Sequence, residues 1–88
     1  MAKYKLRIKK SALKELEAVG TKVDRRRIIK RIESLATDPR PAGSTKLSGL
    51  DRYRIRQGRY RILYTIVEME LLVYVIKVGD RKDVYNVP

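Results

Sequence analysis

Four arginines and one tyrosine in the second half of the chain are residue types suited to chemistry on a phosphodiester. They are Arg54, Arg56, Arg61, Arg81 and Tyr85. Guanidinium groups bind phosphate through paired hydrogen bonds, and fixed donors of this kind stabilise charge that develops on a reacting phosphoryl group. A tyrosine can stack on a nucleobase or donate a hydrogen bond. The cluster indicates phosphate binding more directly than catalysis, since solvated arginines and a tyrosine packed on the core edge would show the same residue types.

A predicted β-hairpin brings three of these arginines onto one face. Gly58 and Arg59 can form its two-residue turn, which places Arg56 opposite Arg61 in the next strand. Because side chains alternate across a strand, Arg54 joins them on the same face. The other face carries Tyr53, Ile55, Tyr60, Ile62 and Tyr64. Like charges placed opposite each other destabilise a sheet, and the hairpin contains no acidic residue. We therefore interpret the arginine face as a binding site for a polyanion rather than as a solubilising surface.

Composition limits the kinds of function open to the chain. It has 88 residues, which predicts a single domain at 1–88, and 22 lysines and arginines against 10 acidic residues give a net charge of +12. Such a field favours nucleic acid, an anionic surface or an acidic protein partner. The absence of histidine and cysteine excludes the usual general base, thiolate metal sites and disulfides. No apolar run approaches the roughly 20 residues that span a membrane, and the N-terminus lacks a signal-peptide core, so we expect a cytoplasmic location.

Hydrophobic periodicity predicts the elements that position the arginines. They are a strand at residues 3–8, helices at about 11–19 and 22–37, and strands at about 52–57, 60–67 and 71–78. Ser11 and Thr21 are the predicted N-caps of the two helices. The order β-α-α-β-β-β predicts an α+β fold, with an antiparallel sheet and a helical hairpin packed on one face. The arginine face of the β-hairpin would then line the open side of the sheet.

The two predicted helices each carry an apolar stripe toward the sheet. These stripes comprise Ala12, Leu13, Leu16 and Val19 in the first helix and Ile28, Ile29, Ile32, Leu35 and Ala36 in the second. The other face of the second helix is basic, and with two later residues it forms a predicted docking surface for structured RNA, which would be recognised through shape and phosphates. That surface comprises Arg25, Arg26, Arg27, Lys30, Arg31, Lys46 and Arg59. Ordinary solvation of a helix face is the alternative for its helical part.

A family resemblance joins these features. The hairpin reads YRIRQGRYRILY from Tyr53 to Tyr64, and it is followed by IKVGDR at 76–81 and by Val84-Tyr85. With an upstream ALKEL helix, a basic helix that ends at Asp38-Pro39 and a KLSG loop, these runs resemble the RelE toxins of bacterial and archaeal toxin–antitoxin pairs. The resemblance covers nearly the whole chain. It is more specific to the wider RelE/ParE superfamily than to one activity within it.

The resemblance implies a compact α+β fold like that of microbial ribonucleases and an mRNA interferase activity in the ribosomal A site. In that reaction the 2′-hydroxyl of the RNA attacks the adjacent phosphate, leaving a 2′,3′-cyclic phosphate and a 5′-hydroxyl. No metal or other cofactor is implied. The implied partners are the ribosome, its mRNA and a RelB-like antitoxin. A chain as basic as this one suits an antitoxin whose acidic helical segments wrap around it.

The resemblance also assigns roles to the five residues of the cluster. Arg54 and Arg56 match two basic residues of the active-site strand, and Arg61 matches an arginine that stabilises the transition-state phosphate. Arg81 matches an arginine proposed to assist the leaving 5′-oxygen, and Tyr85 matches a tyrosine that stacks on or orients the A-site nucleotides. Well-studied members carry lysines where this chain has Arg54 and Arg56. Because arginine is a poor proton acceptor, we expect these two residues to favour ionisation of the 2′-hydroxyl by their field.

Two other functions are compatible with the sequence. The first is a ParE-like inhibitor of DNA gyrase, which shares the fold but binds its target without nuclease chemistry. The second is a non-catalytic basic RNA- or ribosome-binding protein, whose RNA affinity would depend steeply on salt. ParE-like relatives typically lack the cluster of basic residues and tyrosine, so the presence of all five residues favours the nuclease.

Overall fold

The computed structural model describes residues 3–47, 49 and 51–80. Its elements in chain order are β1 (Lys5–Ile8), α1 (Lys10–Glu17), α2 (Lys22–Ser34), β2 (Thr45–Lys46), β3 (Tyr53–Gln57), β4 (Tyr60–Val67), a short 3₁₀ turn (Glu68–Glu70) and β5 (Leu72–Asp80). The predicted α+β class is confirmed, with two helices and a five-stranded sheet. The segment predicted to be a loop contains β2, whose two residues are too short to show an alternating pattern.

The sheet is mixed rather than wholly antiparallel. Its strand order is β1-β5-β4-β3-β2, and β3, β4 and β5 form an antiparallel ladder as predicted. β1 instead lies parallel to β5, with Lys5 opposite Leu72 and Ile8 opposite Val75. Alternation of apolar residues shows which face of a strand is buried, but it does not show the direction of a neighbour that is distant in sequence. The parallel pair therefore could not be read from the pattern.

Hydrogen bonds donated by backbone N–H groups determine where the two helices begin. Thr21 caps α2 as predicted, because the N–H of Asp24 donates to its hydroxyl oxygen at 3.1 Å. The prediction that Ser11 caps α1 is wrong, since α1 begins at Lys10 with Lys9 as its N-cap. The N–H of Lys9 donates to the carbonyl of Val75 at 2.9 Å, so the chain stays extended through Lys9 before it turns. In the described part of the chain, no helix is long and apolar enough to cross a membrane.

The hydrophobic core lies between the helices and one face of the sheet. From the helices and the residues that directly follow them, the core contains Ala12, Leu16, Val19, Ile28, Ile32 and Leu35. From the strands it contains Ile55, Ile62, Tyr64, Ile66, Val73, Val75 and Val78. Burying a large aliphatic side chain typically stabilises a fold by about 1.5–3 kcal/mol. Leu13 and Ile29 were predicted to be buried but are 44% and 38% exposed. Each helix therefore packs through a narrower stripe than its apolar pattern indicates.

Candidate functional site

The β3–β4 hairpin has the predicted register. Arg56 is the partner of Arg61, and Arg54 is the partner of Leu63. The turn is possible because Gly58 adopts a φ of 60°, a left-handed conformation that glycine reaches without a steric cost. These side chains share the face of the sheet opposite the helices, and that surface is called the arginine face below.

Exposure varies strongly across the arginine face. Arg56 is exposed and Arg54 is half-buried, whereas Arg61 is only 1% exposed and Leu63 is buried. The expectation of an open surface is therefore correct at Arg56 and wrong at Arg61. One physical reason is the position of each strand in the sheet. β4 is flanked by β3 and β5, whereas the neighbour of β3 on its other side, among the described residues, is the two-residue β2. A phosphate can reach Arg56 directly, but it can reach the Arg61 guanidinium only if this part of the face opens.

The tip of the hairpin encloses a small basic cavity. Its volume is about 130 Å³, and it is lined by Arg56, Gly58, Arg59, Tyr60 and Arg61. Arg59 donates to the Asp80 carboxylate through two nitrogens, at 2.6 and 2.8 Å, and this contact raises the pKa of Arg59. The Arg56 side chain, in contrast, makes no hydrogen bond or ion pair with any residue that the structure describes. Its five N–H donors are therefore the ones most available to an anion here.

Glu15 of α1 fixes the part of β5 that faces the site. Leu63 pairs with Lys77 and Tyr64 pairs with Val75, so Ile76 is an extra residue in a β-bulge. β5 continues beyond the end of β1, and there the Glu15 carboxylate accepts from the Val78 N–H at 3.1 Å. The same carboxylate pairs with the Lys77 ammonium at 2.5 Å. No sequence signal identified this role for Glu15, because it depends on where α1 crosses the end of β1.

The predicted docking surface is continuous with the hairpin. A groove of about 260 Å³ is lined by Arg27, Lys30, Arg31 and Ser34 of α2 together with Gln57 of β3. The helical part is largely exposed, but Arg25 also has a structural role, since it donates to the Val19 carbonyl at 3.2 Å. Lys46 is exposed on β2. The structure thus brings α2 and the end of β3 together along one basic groove.

Two residues of the predicted cluster, Arg81 and Tyr85, lie outside the described residues. Their roles stay predictions from the resemblance. Asp80 is the last described residue before them, and its carboxylate accepts from Arg59. This contact joins the end of β5 to the hairpin turn, and the antiparallel register places Asp80 opposite Tyr60.

The other end of the hairpin is held by a network around Arg40, called the Arg40 network below. Arg40 pairs with Glu68 at 2.6 Å and donates to the Tyr53 hydroxyl at 3.2 Å, while Tyr4 donates to the same Glu68 carboxylate at 2.9 Å. Hydrogen bonds from Arg40 and Tyr4 hold the pKa of Glu68 below its usual range. Tyr64 stacks on Tyr53, with a centroid distance of 5.7 Å, and its hydroxyl donates to the Pro39 carbonyl at 2.7 Å.

Comparisons with known proteins agree with this geometry. Residues 6–85 match the family of ParE toxins of type II toxin–antitoxin systems. The mRNA interferase toxin RelE of Escherichia coli K12 is 34% identical over 94% of this chain and 90% of that protein. Toxin chains in two solved toxin–antitoxin complexes have the same fold. The archaeal RelE–RelB complex from Pyrococcus horikoshii OT3 gives a TM-score of 0.80 at 28% identity, covering 90% of this chain and 96% of that one. The intact Escherichia coli RelBE complex gives 0.74 at 33% identity, covering 88% and 95%.

Proposed function

This chain belongs to the RelE/ParE family of type II toxin–antitoxin toxins, and we propose that it is an endoribonuclease that cleaves mRNA in the ribosomal A site. The observation that carries the proposal is Arg56. It is exposed, lies directly opposite Arg61 in the ladder, and has no acidic partner among the described residues. Two arginines that face each other across a ladder repel, and an RNA phosphate between them would remove that cost. The names of the curated relatives, which are mRNA interferases, support the same activity.

In the proposed reaction the RNA supplies its own nucleophile. The 2′-hydroxyl oxygen forms a bond to the adjacent phosphorus, the bond from phosphorus to the 5′-oxygen breaks, and a 2′,3′-cyclic phosphate results. Arg56 binds the non-bridging oxygens as negative charge develops on them, and Arg54 adds to the field. Arg61 joins them once the face opens. An arginine does not accept a proton near neutral pH, so the proton of the 2′-hydroxyl passes to solvent or to a group of the ribosome. By resemblance, Arg81 assists the leaving oxygen and Tyr85 stacks on the substrate, and no metal takes part.

The partners follow from charge and from the relatives. A net charge of +12 on 88 residues attracts ribosomal RNA, and the docking surface on α2 offers exposed cations beside the hairpin. The related structures are toxin–antitoxin complexes. We therefore assign this chain a RelB-like antitoxin with acidic helical segments, which would compete with RNA for the basic surface.

Primer extension on a defined mRNA tests the proposal. The full chain is incubated with the mRNA alone and with ribosomes that hold an open A-site codon, and the new 3′ ends are analysed for a 2′,3′-cyclic phosphate. We expect cleavage only in the presence of ribosomes. Cleavage of free RNA would retain the nuclease but remove the requirement for the ribosome. If the protein is folded and arrests growth but cleaves mRNA in neither reaction, the proposed nuclease activity is wrong.

The name of the matching family favours a second candidate, a ParE-like gyrase inhibitor. Such a protein would block supercoiling of plasmid DNA by purified gyrase and would leave ribosome-bound mRNA intact. The two assays therefore give opposite results for the two candidates. Activity in the gyrase assay without mRNA cleavage would replace the proposed function with this one.

A further inference from the structure

A second basic cavity lies on the arginine face, at the end of β3 away from the turn. Its volume is about 280 Å³, and its lining includes Lys9, Arg52, Lys77, Glu15, Leu63 and Ile76. Arg52 directly precedes β3, two residues before Arg54, and Leu63 is the partner of Arg54 in the ladder. This cavity and the one at the hairpin tip are therefore two ends of one surface, with Arg54 between them.

The charges of this second cavity do not cancel. The Glu15 carboxylate is already used by the Lys77 ammonium at 2.5 Å and the Val78 N–H at 3.1 Å. Lys9 and Arg52, by contrast, make no side-chain hydrogen bond or ion pair with the residues that the structure describes. α1 begins at the rim of the cavity with no side-chain cap and no acid in its first turn, which adds to the positive potential. The cavity therefore presents two uncompensated cations to a ligand.

The lining also contains an apolar surface. Leu63 is 5% exposed and Ile76 is half-buried, and both lie beside the two cations. Cations next to aliphatic side chains fit a nucleotide unit, whose phosphate is anionic and whose base presents a flat, poorly hydrated face. A free inorganic anion would make no use of the apolar part, which is why the cavity matches a nucleic acid strand better.

We propose that this cavity binds a nucleotide of the RNA strand adjacent to the scissile phosphate. Lys9 and Arg52 contact its phosphate, and Leu63 and Ile76 contact its base or ribose. The proposal rests on the proposed function, because it extends the RNA path from the hairpin tip. Arg52 and Arg56 are four residues apart, so at about 3.3 Å per residue the path is roughly 13 Å long. Arg54 contacts the strand midway.

Binding of single-stranded RNA measures the effect without requiring cleavage. The probe is a labelled RNA oligonucleotide with a 2′-O-methyl group at each position, so that no 2′-hydroxyl attack occurs, and anisotropy is recorded over a series of salt concentrations. The variant is Lys9→Ala with Arg52→Ala. The matched control is Lys5→Ala with Arg7→Ala, which removes the same two residue types from exposed positions on β1. Thermal unfolding of all three proteins shows that the variants are folded.

We expect the Lys9→Ala, Arg52→Ala protein to bind at least tenfold more weakly than the control. Its log–log salt slope should be smaller in magnitude by about 0.7, since both side chains contact the same phosphate and each phosphate neutralised on a single strand contributes about 0.7. Equal affinity and slope for the variant and the control would overturn the proposal. A variant that loses affinity for an acidic antitoxin peptide but retains its affinity for RNA would overturn it in favour of a protein ligand.

Cleavage on the ribosome separates this inference from the proposed function. If the unmodified chain cleaves, the variant should show a KM at least tenfold higher with a kcat within about twofold, since the cavity binds RNA away from the reacting phosphate. A lower kcat at unchanged KM would contradict the proposal while leaving the nuclease intact. If the unmodified chain does not cleave, the proposed function fails, and the anisotropy series still decides whether the cavity binds RNA.

Discussion

Arg40, which contacts the first residue of β3, and Arg56, near the end of that strand, lie in opposite surroundings. Near Tyr53, Arg40 has a carboxylate at 2.6 Å and a tyrosine hydroxyl at 3.2 Å, and its guanidinium lies 5.5 Å from the centre of the Tyr53 ring. Near the turn, Arg56 lies opposite another arginine and has no acidic partner among the described residues. The contacts of Arg40 therefore explain its charge as part of the described fold, whereas no contact there explains the charge of Arg56.

This difference distinguishes a charged side chain that stabilises the fold from one that is available to bind a ligand. Glu68 reaches Arg40 from the short turn before β5, and Tyr4 reaches Glu68 from the start of the chain, so distant segments supply the counter-charge and hydroxyl at that end. At the turn end Asp80 supplies one carboxylate, which Arg59 uses. We infer that an external anion completes the arrangement at Arg56.

Replacing Arg56 gives the largest effect that the comparison predicts. Arg56→Ala should lower the rate of A-site mRNA cleavage by about a hundredfold or more, which is typical for loss of a donor that stabilises transition-state charge. The midpoint of thermal unfolding should not fall, because the side chain is exposed and its removal relieves the repulsion from Arg61 across the ladder. Single-turnover cleavage and a thermal melt measure the two quantities.

Arg7→Ala is the matched control for that experiment, since Arg7 is an exposed strand arginine at the far edge of the sheet. It removes the same charge and should cleave at nearly the normal rate. Full activity of Arg56→Ala would contradict the assignment. A loss of activity that only follows a loss of folded protein would place Arg56 with the structural arginines.

At the other end of the hairpin, Tyr64 should make stability depend on alkaline pH. Burial raises the pKa of Tyr64 from 10.0 to about 12. A group whose pKa is raised by folding contributes stability that is complete below its unfolded pKa and is lost as the pH rises through the folded value. Between pH 10 and 12, the unmodified protein should therefore lose about 2 kcal/mol of unfolding free energy relative to Tyr64→Phe. Denaturant titrations of both proteins test this, and a pH-independent difference would refute it.

Near neutral pH, Tyr64→Phe should instead destabilise the protein, and the effect should be smaller. Tyr64→Phe removes the hydrogen bond to the Pro39 carbonyl and leaves that acceptor without its donor. The unfolding free energy should fall by about 1 kcal/mol, as is usual for one buried hydrogen bond. Cleavage activity should be retained, since Tyr64 lies on the helix-facing side of the hairpin. A large loss of activity at unchanged stability would mean that the two ends of β3 are functionally coupled.

Sequence predicted those parts of the fold that depend on neighbouring residues. The hairpin register followed from one glycine turn and strict alternation, and the cap at Thr21 followed from four consecutive residues. The direction of β1, the contact of Glu15 with β5 and the acid that neutralises Arg40 all join segments far apart in the chain. Local patterns carry no information about such contacts, and those contacts decide which arginines are satisfied within the fold.

The candidate site was predicted to a similar extent. The sequence identified the arginines of the hairpin and their shared face, and the structure places them together. It did not indicate that Arg61 would be buried, because burial depends on what packs on both sides of β4. It also did not indicate the cavity at Lys9 and Arg52, because α1 and β3 are brought together only by the sheet order. The roles of Arg81 and Tyr85 stay predictions.

Acid titration of the Arg40 network should give the smallest effect. Arg40 and Tyr4 hold the pKa of Glu68 below its usual value of 4.5, so ionised Glu68 contributes stability that is present above the unfolded pKa and is lost as the pH falls through the lower folded value. As the pH falls below about 5, the unmodified protein should lose stability more steeply than Glu68→Gln. Glu70→Gln is the control, because Glu70 is exposed in the same turn and its carboxylate makes no hydrogen bond or ion pair with residues 3–47, 49 and 51–80. The Arg40 and Glu68 side chains are 47% and 51% exposed, so added salt should reduce the difference further. Equal pH profiles for all three proteins would show that the ion pair of Arg40 with Glu68 does not stabilise the fold. The contrast between Arg40 and Arg56 would then no longer distinguish a structural arginine from a functional one.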